Sequence, residues 1–373
     1  MKILVISNMY PSVKDPVYGT FVQTFVEQMK VLNTEGKTNI IVIKGRDGEY
    51  GRKLFKYVKF YISILFSLLF RKHDIVYVHT ITYPIIPIRL ALLFRKLPLV
   101  FNVHGGDVLT HGKIAGKMKQ YARPVLRNAR MIVSPSFFFK EILLCEFPEL
   151  EGDKIFVSSS GGVGVEFYKE RPKVKNEIPI IGYISRIDKG KGWDTLIDAL
   201  SILRERGVSY TAIIAGRGTL EKEMMKKIRD LYLDNLIKYI GPIPYHSLPE
   251  IYCTLDLFIF PTCLEESLGL VGLEAMACEV PVIGSYIGGL KDYIKDKENG
   301  FSLKSIAVNE KKIDKEKKYS ILLTDITMSI LKKLYPECEI TQLKDTTLSS
   351  AWAAAMSKGQ QPSAPEDYIE VEK

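Results

Sequence analysis

Along this chain, short continuous runs of branched apolar residues alternate with longer stretches whose apolar side chains recur every third or fourth position. The runs KILVIS (2–7), NIIVIK (39–44), DIVYVHT (74–80), LVFNVHG (99–105), MIVSPS (131–136) and KIFVSSSG (154–161) read as strands buried on both faces, the kind that form parallel sheets. Helical periodicity near 20–32, 54–70, 85–95, 114–128 and 137–145 supplies the covering layers. RPKVKNEIP (171–179), polar and with two prolines, predicts a linker. The alternation then restarts: IPIIGYIS (178–185), the helix WDTLIDALSILRERG (193–207), YTAIIAG (210–216), a charged helix after Gly218, IKYIGPI (237–243), LFIFPT (257–262), a helix holding Glu274, and VPVIGS (280–285). The pattern predicts an α/β protein of two doubly wound, Rossmann-like domains, 1–172 and 173–305, whose parallel sheets face each other across a cleft. A helical segment over 306–356 and a disordered tail over 357–373 follow, with the lysine-rich KSIAVNEKKIDKEKK expected to be solvated.

Composition narrows the class. A chain of 373 residues is longer than one core usually supports, and 46% hydrophobic with 25% charged residues is ordinary for a folded soluble protein. Cys145, Cys253, Cys263, Cys278 and Cys338 are odd in number and lack a CxxC pair, which argues against a disulfide framework or structural zinc and favours a reducing cytoplasm. MKILVISNMY enters a strand at once, without the features of a secretory signal. The net charge of +9 allows an acidic partner, but the basic residues follow no nucleic-acid recognition module. One stretch, 54–72, sets an apolar and aromatic core between Lys53, Lys56, Lys59, Arg71 and Lys72. It is too short to span a bilayer, and a helix lying on an anionic membrane or one packed on the core shares its periodicity.

Ligands in doubly wound folds bind outside the carboxyl ends of the strands, so residues at those ends are the candidates. VHGGDV places His104 and Asp107 at one strand tip; alone, such a histidine is more often a hydrogen-bonded structural residue. Gly19 opens the helix after the first strand, where a phosphate or a plain turn fits equally well. Arg186 and Lys191 in RIDKGKG lie on a flexible loop with the two cations that a diphosphate requires, although a solvated loop reads the same way. In EESLGLVGLE, a helix starting near Ser267 would separate Glu266 from Glu274 by roughly 12 Å, too far to share a proton or metal. That spacing suits a ligand with a diphosphate in its middle. Glu274 sits within apolar LVGLEAMA, where a carboxylate without a partner is costly.

Together YPSVKDPVYGTFVQTF, NVHGGDV, GYISRIDKGKGWDTLIDAL, IIAGRGTL, FPTCLEESLGLVGLEAMACEVPVIGS and GGLKDYIKDKENGF resemble the retaining glycosyltransferases of family 4, the "glycosyl transferases group 1" type with the GT-B fold, over residues 1 to about 303. The resemblance implies transfer of a sugar from a UDP- or GDP-linked donor to a glycan or lipid-linked acceptor in cell-surface polysaccharide biosynthesis; for a cytoplasmic protein, the stretch 54–72 adds the expectation of a peripheral place on the inner face of the cell membrane. It implies that 1–172 binds the acceptor and 173–305 the nucleotide-sugar donor, that Arg186 and Lys191 bind the diphosphate and stabilise the leaving group, that Glu274 holds the ribose, and that Glu266 holds the donor sugar. Ser267, Leu268, Gly269 and Leu270 would offer main-chain amides, Gly19 would close over the phosphates, and His104 would contact the sugar near the anomeric centre. Asp107 would orient the acceptor or brace its loop, and Arg217 occupies a variable donor-side position. No protein nucleophile, metal or further cofactor is implied, and the chain has neither HExxH nor a DxD after an apolar strand. Family members usually end in a helix that crosses back onto the first domain, and no such helix is evident here. A non-catalytic nucleotide-sugar-binding protein of the same fold is the alternative; a sugar-nucleotide epimerase would need further acid and base groups.

Overall fold

A computed structural model describes residues 1–15, 18–46, 50–109, 112–158, 162–168, 176–303 and 312–334. The tail expected over 357–373 and the linker residues 171–175 lie outside them. The first sheet is built from β1 (Lys2–Tyr10), β2 (Lys37–Lys44), β3 (Ile75–His79), β4 (Leu99–Asn102), β5 (Met131–Ser134) and β6 (Ile155–Val157), all parallel, in the order β2-β1-β3-β4-β5-β6. Its helices are α1 (Thr20–Leu32), α2 (Tyr50–Phe70), α3 (Ile85–Leu92), the single turn α4 (Gly105–Val108), α5 (Lys113–Arg127) and α6 (Phe137–Glu146). The second sheet holds β7 (Ile180–Ile184), β8 (Thr211–Ala215), β9 (Ile237–Gly241), β10 (Leu257–Phe260), β11 (Val282–Ser285) and β12 (Phe301–Leu303), in the order β12-β11-β10-β7-β8-β9. With it go α7 (Trp193–Glu205), α8 (Glu221–Asp230), α9 (Leu248–Tyr252), α10 (Leu270–Ala277) and α11 (Lys312–Leu334).

The strands form where the sequence is continuously apolar because helices cover both faces of each sheet. In the first domain Leu4 and Ile6 face Phe60, Ile64 and Leu68 of α2, while Ile3 and Val5 face Val22 and Val26 of α1. The second core already contains Phe167, from the turn before the linker. Each sheet reverses its strand order once, between β1 and β3 and between β7 and β10. These reversals open the crevices where such folds take ligands.

Residues 312–318, lysine-rich in sequence, are the first turns of α11, within the helical segment expected over 306–356; lysine and glutamate are good helix formers. That helix packs on α7, burying Leu323, Ile326, Ile330 and Leu331 in the second core, with the Thr324 hydroxyl donating to the Ala199 carbonyl at 3.2 Å. It is not a helix returned to the first domain. Contact between the domains is made instead by α6: Asp292 accepts hydrogen bonds from the first amides of α6, Phe137 and Phe138, and Ser136 donates to the Ser267 carbonyl.

Candidate functional site

The loops after β7 and β10 build the second crevice. Tyr183 in β7 donates to the Lys191 carbonyl at 3.0 Å and fixes the turn that carries the lysine. Gly192 then starts α7 with φ 80, and a Cβ there would run into the Pro261 carbonyl oxygen; only glycine lets the two strand tips approach so closely. Lys191 is 8% exposed, and its Nζ lies 2.6 Å from Glu266 Oε1, which also accepts from Thr262 Oγ1 at 3.1 Å. The two residues expected on neighbouring parts of one ligand are therefore in direct contact. Arg186 points outward, 66% exposed, and pairs with Asp188 at 2.9 Å. Asp188 also accepts from the Thr219 amide and hydroxyl at 2.8 and 2.9 Å, which holds its carboxyl below the usual range. Arg217 is exposed on the adjoining loop, and its carbonyl accepts from the Ile187 amide.

The expected helix start near Ser267 is displaced. α10 begins at Leu270, with Gly269 in the left-handed region at φ 81 as its cap. Ser267 and Leu268 belong to the preceding loop, where Gly289 lies against their backbone, Gly288 lies against that of Glu265 and Glu266, and the Gly289 amide bonds the Glu266 carbonyl. Glu266 and Glu274 thus share no helix axis, and the axial separation does not apply. The first amides of α10 still lack intrahelical acceptors, as at any helix start, so the loop and helix end present donors and a positive dipole end together. Glu274 is buried at 5% exposure and accepts from the Tyr252 hydroxyl at 3.1 Å. Burial, aided by the nearby Glu166 carboxylate, pushes its pKa up to about 7.

On the facing domain, Gly19 caps α1 at φ 75, packed against the Met9 and Tyr10 backbone. His104 caps α4, and Asp107 binds the His104 amide at 2.8 Å and the Ile81 amide at 3.0 Å. Asp107 is buried, its pKa pushed up to about 7 by desolvation, and both its oxygens are engaged in bracing the two loops. Gly105 faces Ser267 across the cleft, since a Cβ on it would lie 3.5 Å from that side chain. His79, which sequence reasoning did not single out, stacks on His104 with ring centroids 5.4 Å apart and its Nδ1 3.2 Å from His104 Nε2. Phe21 and Phe25 of α1 close over the pair. Burial lowers the His104 pKa to about 3 and that of His79 well below its ordinary value, so both rings are neutral, and one N–H donates to the other ring in a direction set by the tautomers. Thr262, Ser136 and Asp292 were missed as well; of these only Ser136, before the helical FFFKEILL, carries a sequence signal, that of a helix cap. Among the described residues no three His, Cys, Asp or Glu side chains converge as a metal site.

Comparison with known proteins places this geometry in a family. The model for "Glycosyltransferase Family 4" matches residues 30–161 and that for "Glycosyl transferases group 1" matches 165–316. The chain is 30% identical over 116 residues to a 2-deoxystreptamine glucosyltransferase of Streptomyces kanamyceticus, covering 31% of this chain and 30% of that one. It is 25% identical over 218 residues to the amylovoran biosynthesis glycosyltransferase AmsK of Erwinia amylovora, covering 57% and 52%. The match therefore spans a third to a half of these curated relatives' lengths. Among solved structures, Anabaena Alr3699/HepE in complex with UDP and glucose superposes with a TM-score of 0.64 at 17% identity, over 96% of this chain and all of that one. Sucrose-phosphate synthase from Thermosynechococcus elongatus gives 0.65 at 14% identity, over 95% and 100%. At such identities the superpositions speak for the fold, and the two family models, one in each domain, speak for the family. This chain belongs to the group 1, family 4 type of glycosyltransferases and has their GT-B fold.

Proposed function

We propose that the protein transfers a sugar, with retained anomeric configuration, from a nucleotide-diphosphate sugar to a hydroxyl of a glycan or lipid-linked acceptor in cell-surface polysaccharide synthesis. The observation that carries this reading is the buried contact of Lys191 with Glu266 at the β7/β10 reversal, beside the α10 amides and the carboxylate of Glu274. A donor spanning these groups would put its diphosphate on Lys191, Arg186 and the helix end, its sugar on Glu266 and its ribose on Glu274. As the bond from the anomeric carbon to the phosphate oxygen breaks, charge grows on the diphosphate, where fixed cations and amides stabilise it most. The acceptor oxygen bonds the anomeric carbon on the same face, and its proton passes to the departing phosphate oxygen. Lys191 and Arg186 supply charge neutralisation, so the reaction proceeds without a metal ion. His104, neutral and braced by Asp107, lines the sugar's position without bearing charge.

Titration calorimetry against UDP-, GDP- and ADP-sugars, with Glu274→Ala and Lys191→Ala alongside, tests the donor site. Selective binding lost in both variants is expected. Turnover that survives EDTA, with an α-linked product from an α-linked donor, is expected as well. Binding without turnover by any acceptor would favour the non-catalytic reading instead.

Location at the inner face of the membrane belongs to the same proposal. Phe55, Val58, Ile62, Phe66 and Phe70 of α2 form an exposed apolar stripe opposite its core-facing side, with Lys53, Lys59, Arg71 and Lys72 nearby. One side of α2 packs on the core through Phe60, Ile64 and Leu68, the exposed stripe supports the membrane-surface reading of the other, and among the described residues no helix is long and apolar enough to cross a membrane. Co-sedimentation with vesicles containing phosphatidylglycerol, lost in Phe55→Ser/Phe66→Ser, is the expected result.

A further inference from the structure

The loop that joins β10 to α10 is held by its carbonyls. That of Glu266 accepts the Gly289 amide at 2.8 Å, and that of Gly269 accepts the Tyr293 hydroxyl at 2.9 Å. Both holders belong to the second domain. The carbonyl between them, that of Ser267, is taken by the Ser136 hydroxyl, which comes from the first domain. A Cβ on Gly289 would fall against the Ser267 carbonyl oxygen, so glycine there leaves that oxygen open to Ser136.

In a planar trans peptide the carbonyl and the following amide point in opposite directions. Each tie on a carbonyl therefore aims the next amide: Gly289 aims that of Ser267, Ser136 that of Leu268, and Tyr293 that of Leu270. Among the described residues none of these three amides meets an acceptor. Amides so placed are completed by a ligand or by water, and beside Lys191 an anionic ligand is favoured.

Ser136 does two things with one hydroxyl. Its oxygen accepts from the Phe139 amide at 3.0 Å, which caps α6, and its hydrogen goes to Ser267. The residue is 2% exposed, and the Ser134 hydroxyl holds its carbonyl at 2.9 Å. On the same turn of α6, Asp292 of the second domain takes the Phe137 and Phe138 amides. The start of α6 and the loop before α10 thus meet as one contact between the domains.

We propose that Ser136 is a positioning residue: when the domains meet, its hydroxyl turns the Ser267–Leu268 peptide so that the Leu268 amide joins the cradle of the donor diphosphate. This rests on the donor reading above. Two holders of the cradle stay with it in any arrangement of the domains, and the third arrives only on closure. Stabilisation of the leaving group is complete only then. A donor bound to an open molecule meets an incomplete set of amides and is spared cleavage by water.

Ser136→Gly tests this, because glycine caps a helix almost as well as serine and has no hydroxyl to donate. Ser136→Thr keeps the hydroxyl. The probes are UDP, GDP and ADP with their monophosphates, bound in titration calorimetry; a monophosphate keeps the base and ribose and lacks the second phosphate. We expect the wild type to bind one diphosphate more tightly than its monophosphate. Ser136→Gly should narrow that preference by about tenfold with the monophosphate affinity unchanged, and Ser136→Thr should restore it. The kcat of donor hydrolysis should fall by a similar factor in Ser136→Gly. Hydrogen exchange on the wild type needs no variant: the diphosphate, and not the monophosphate, should slow exchange over 137–139 and 267–270 together. The proposal is overturned if Ser136→Gly keeps the full preference, if it loses both nucleotides equally, or if exchange over 137–139 ignores the diphosphate. Failure of the donor reading looks different: no diphosphate binds the wild type, and Ser136 then has no cradle to complete.

Discussion

The two strand reversals of this molecule share a topology and differ in nearly everything else. Around β7 and β10 the crevice is charged and tight, with Lys191 on Glu266, Arg186 on Asp188, and backbone approaching backbone at Gly192. Around β1 and β3 it is aromatic and neutral, with Tyr18, Tyr57, Tyr61 and Tyr83 and, one strand over, two histidines kept uncharged by burial. A parallel sheet thus fixes where a ligand sits, and the side chains at the strand tips decide what kind.

The largest expected break in this contrast is Lys191→Ala. It removes the buried cation and strands Glu266, at a cost of about 3–5 kcal/mol in stability. Donor turnover should fall by about 100- to 1,000-fold, read from steady-state hydrolysis of the preferred donor.

Glu274→Gln sharpens the comparison by separating stability from function. Because burial raises the folded pKa of Glu274 to about 7 from an ordinary 4.5, the native state holds a proton that the unfolded chain releases between those values. The group's contribution is fully present below about pH 4.5 and lost as pH rises through 7. Thermal denaturation at pH 8 should therefore show Glu274→Gln more stable than the wild type by about 1–3 kcal/mol, while donor affinity drops about tenfold. The histidines oppose this trend: with pKa values lowered in the folded state, they make stability fall as pH drops below about 6.5. In Glu274→Gln that fall should remain, and in His79→Phe it should shrink.

Asp292→Asn addresses the join between the two crevices. A carboxylate on a helix N-terminus contributes about 0.3–1 kcal/mol, so the variant should fold normally and open more readily. Small-angle scattering should show a larger radius of gyration without donor, and turnover should fall severalfold. Least affected should be the pH profile of turnover attributable to His104: with its pKa near 3, nitrogen chemical shifts should report an unprotonated ring from pH 5 to 8.

Much of this architecture was legible in the sequence, and the reasons are local. Strands buried on both faces advertise themselves as unbroken apolar runs, and each of the runs named at the outset contains a strand. The turn α4, the short helix α9 and the three-residue β12 left no periodic trace because each is too short to show one. The start of α10 was misplaced because what displaces it, the Gly288–Gly289 loop, lies some twenty residues downstream. Within the candidate site, Lys191 and Glu274 stood out as polar residues in apolar or glycine-rich surroundings. His79 and Asp292 did not, since their partners His104 and α6 meet them only through the tertiary fold.

Gly19, Gly192 and Gly269 each open a helix in the left-handed region, at φ 75, 80 and 81. A saturation mutagenesis screen for activity would score all three as severely as Lys191, because any side chain there must displace main chain or packed side chains before a substrate arrives. At these positions intolerance to replacement would measure clearance between strand tips and loops. Residues that act on the ligand would be found instead where a substitution of equal volume, such as Glu274→Gln, weakens binding and leaves the fold intact.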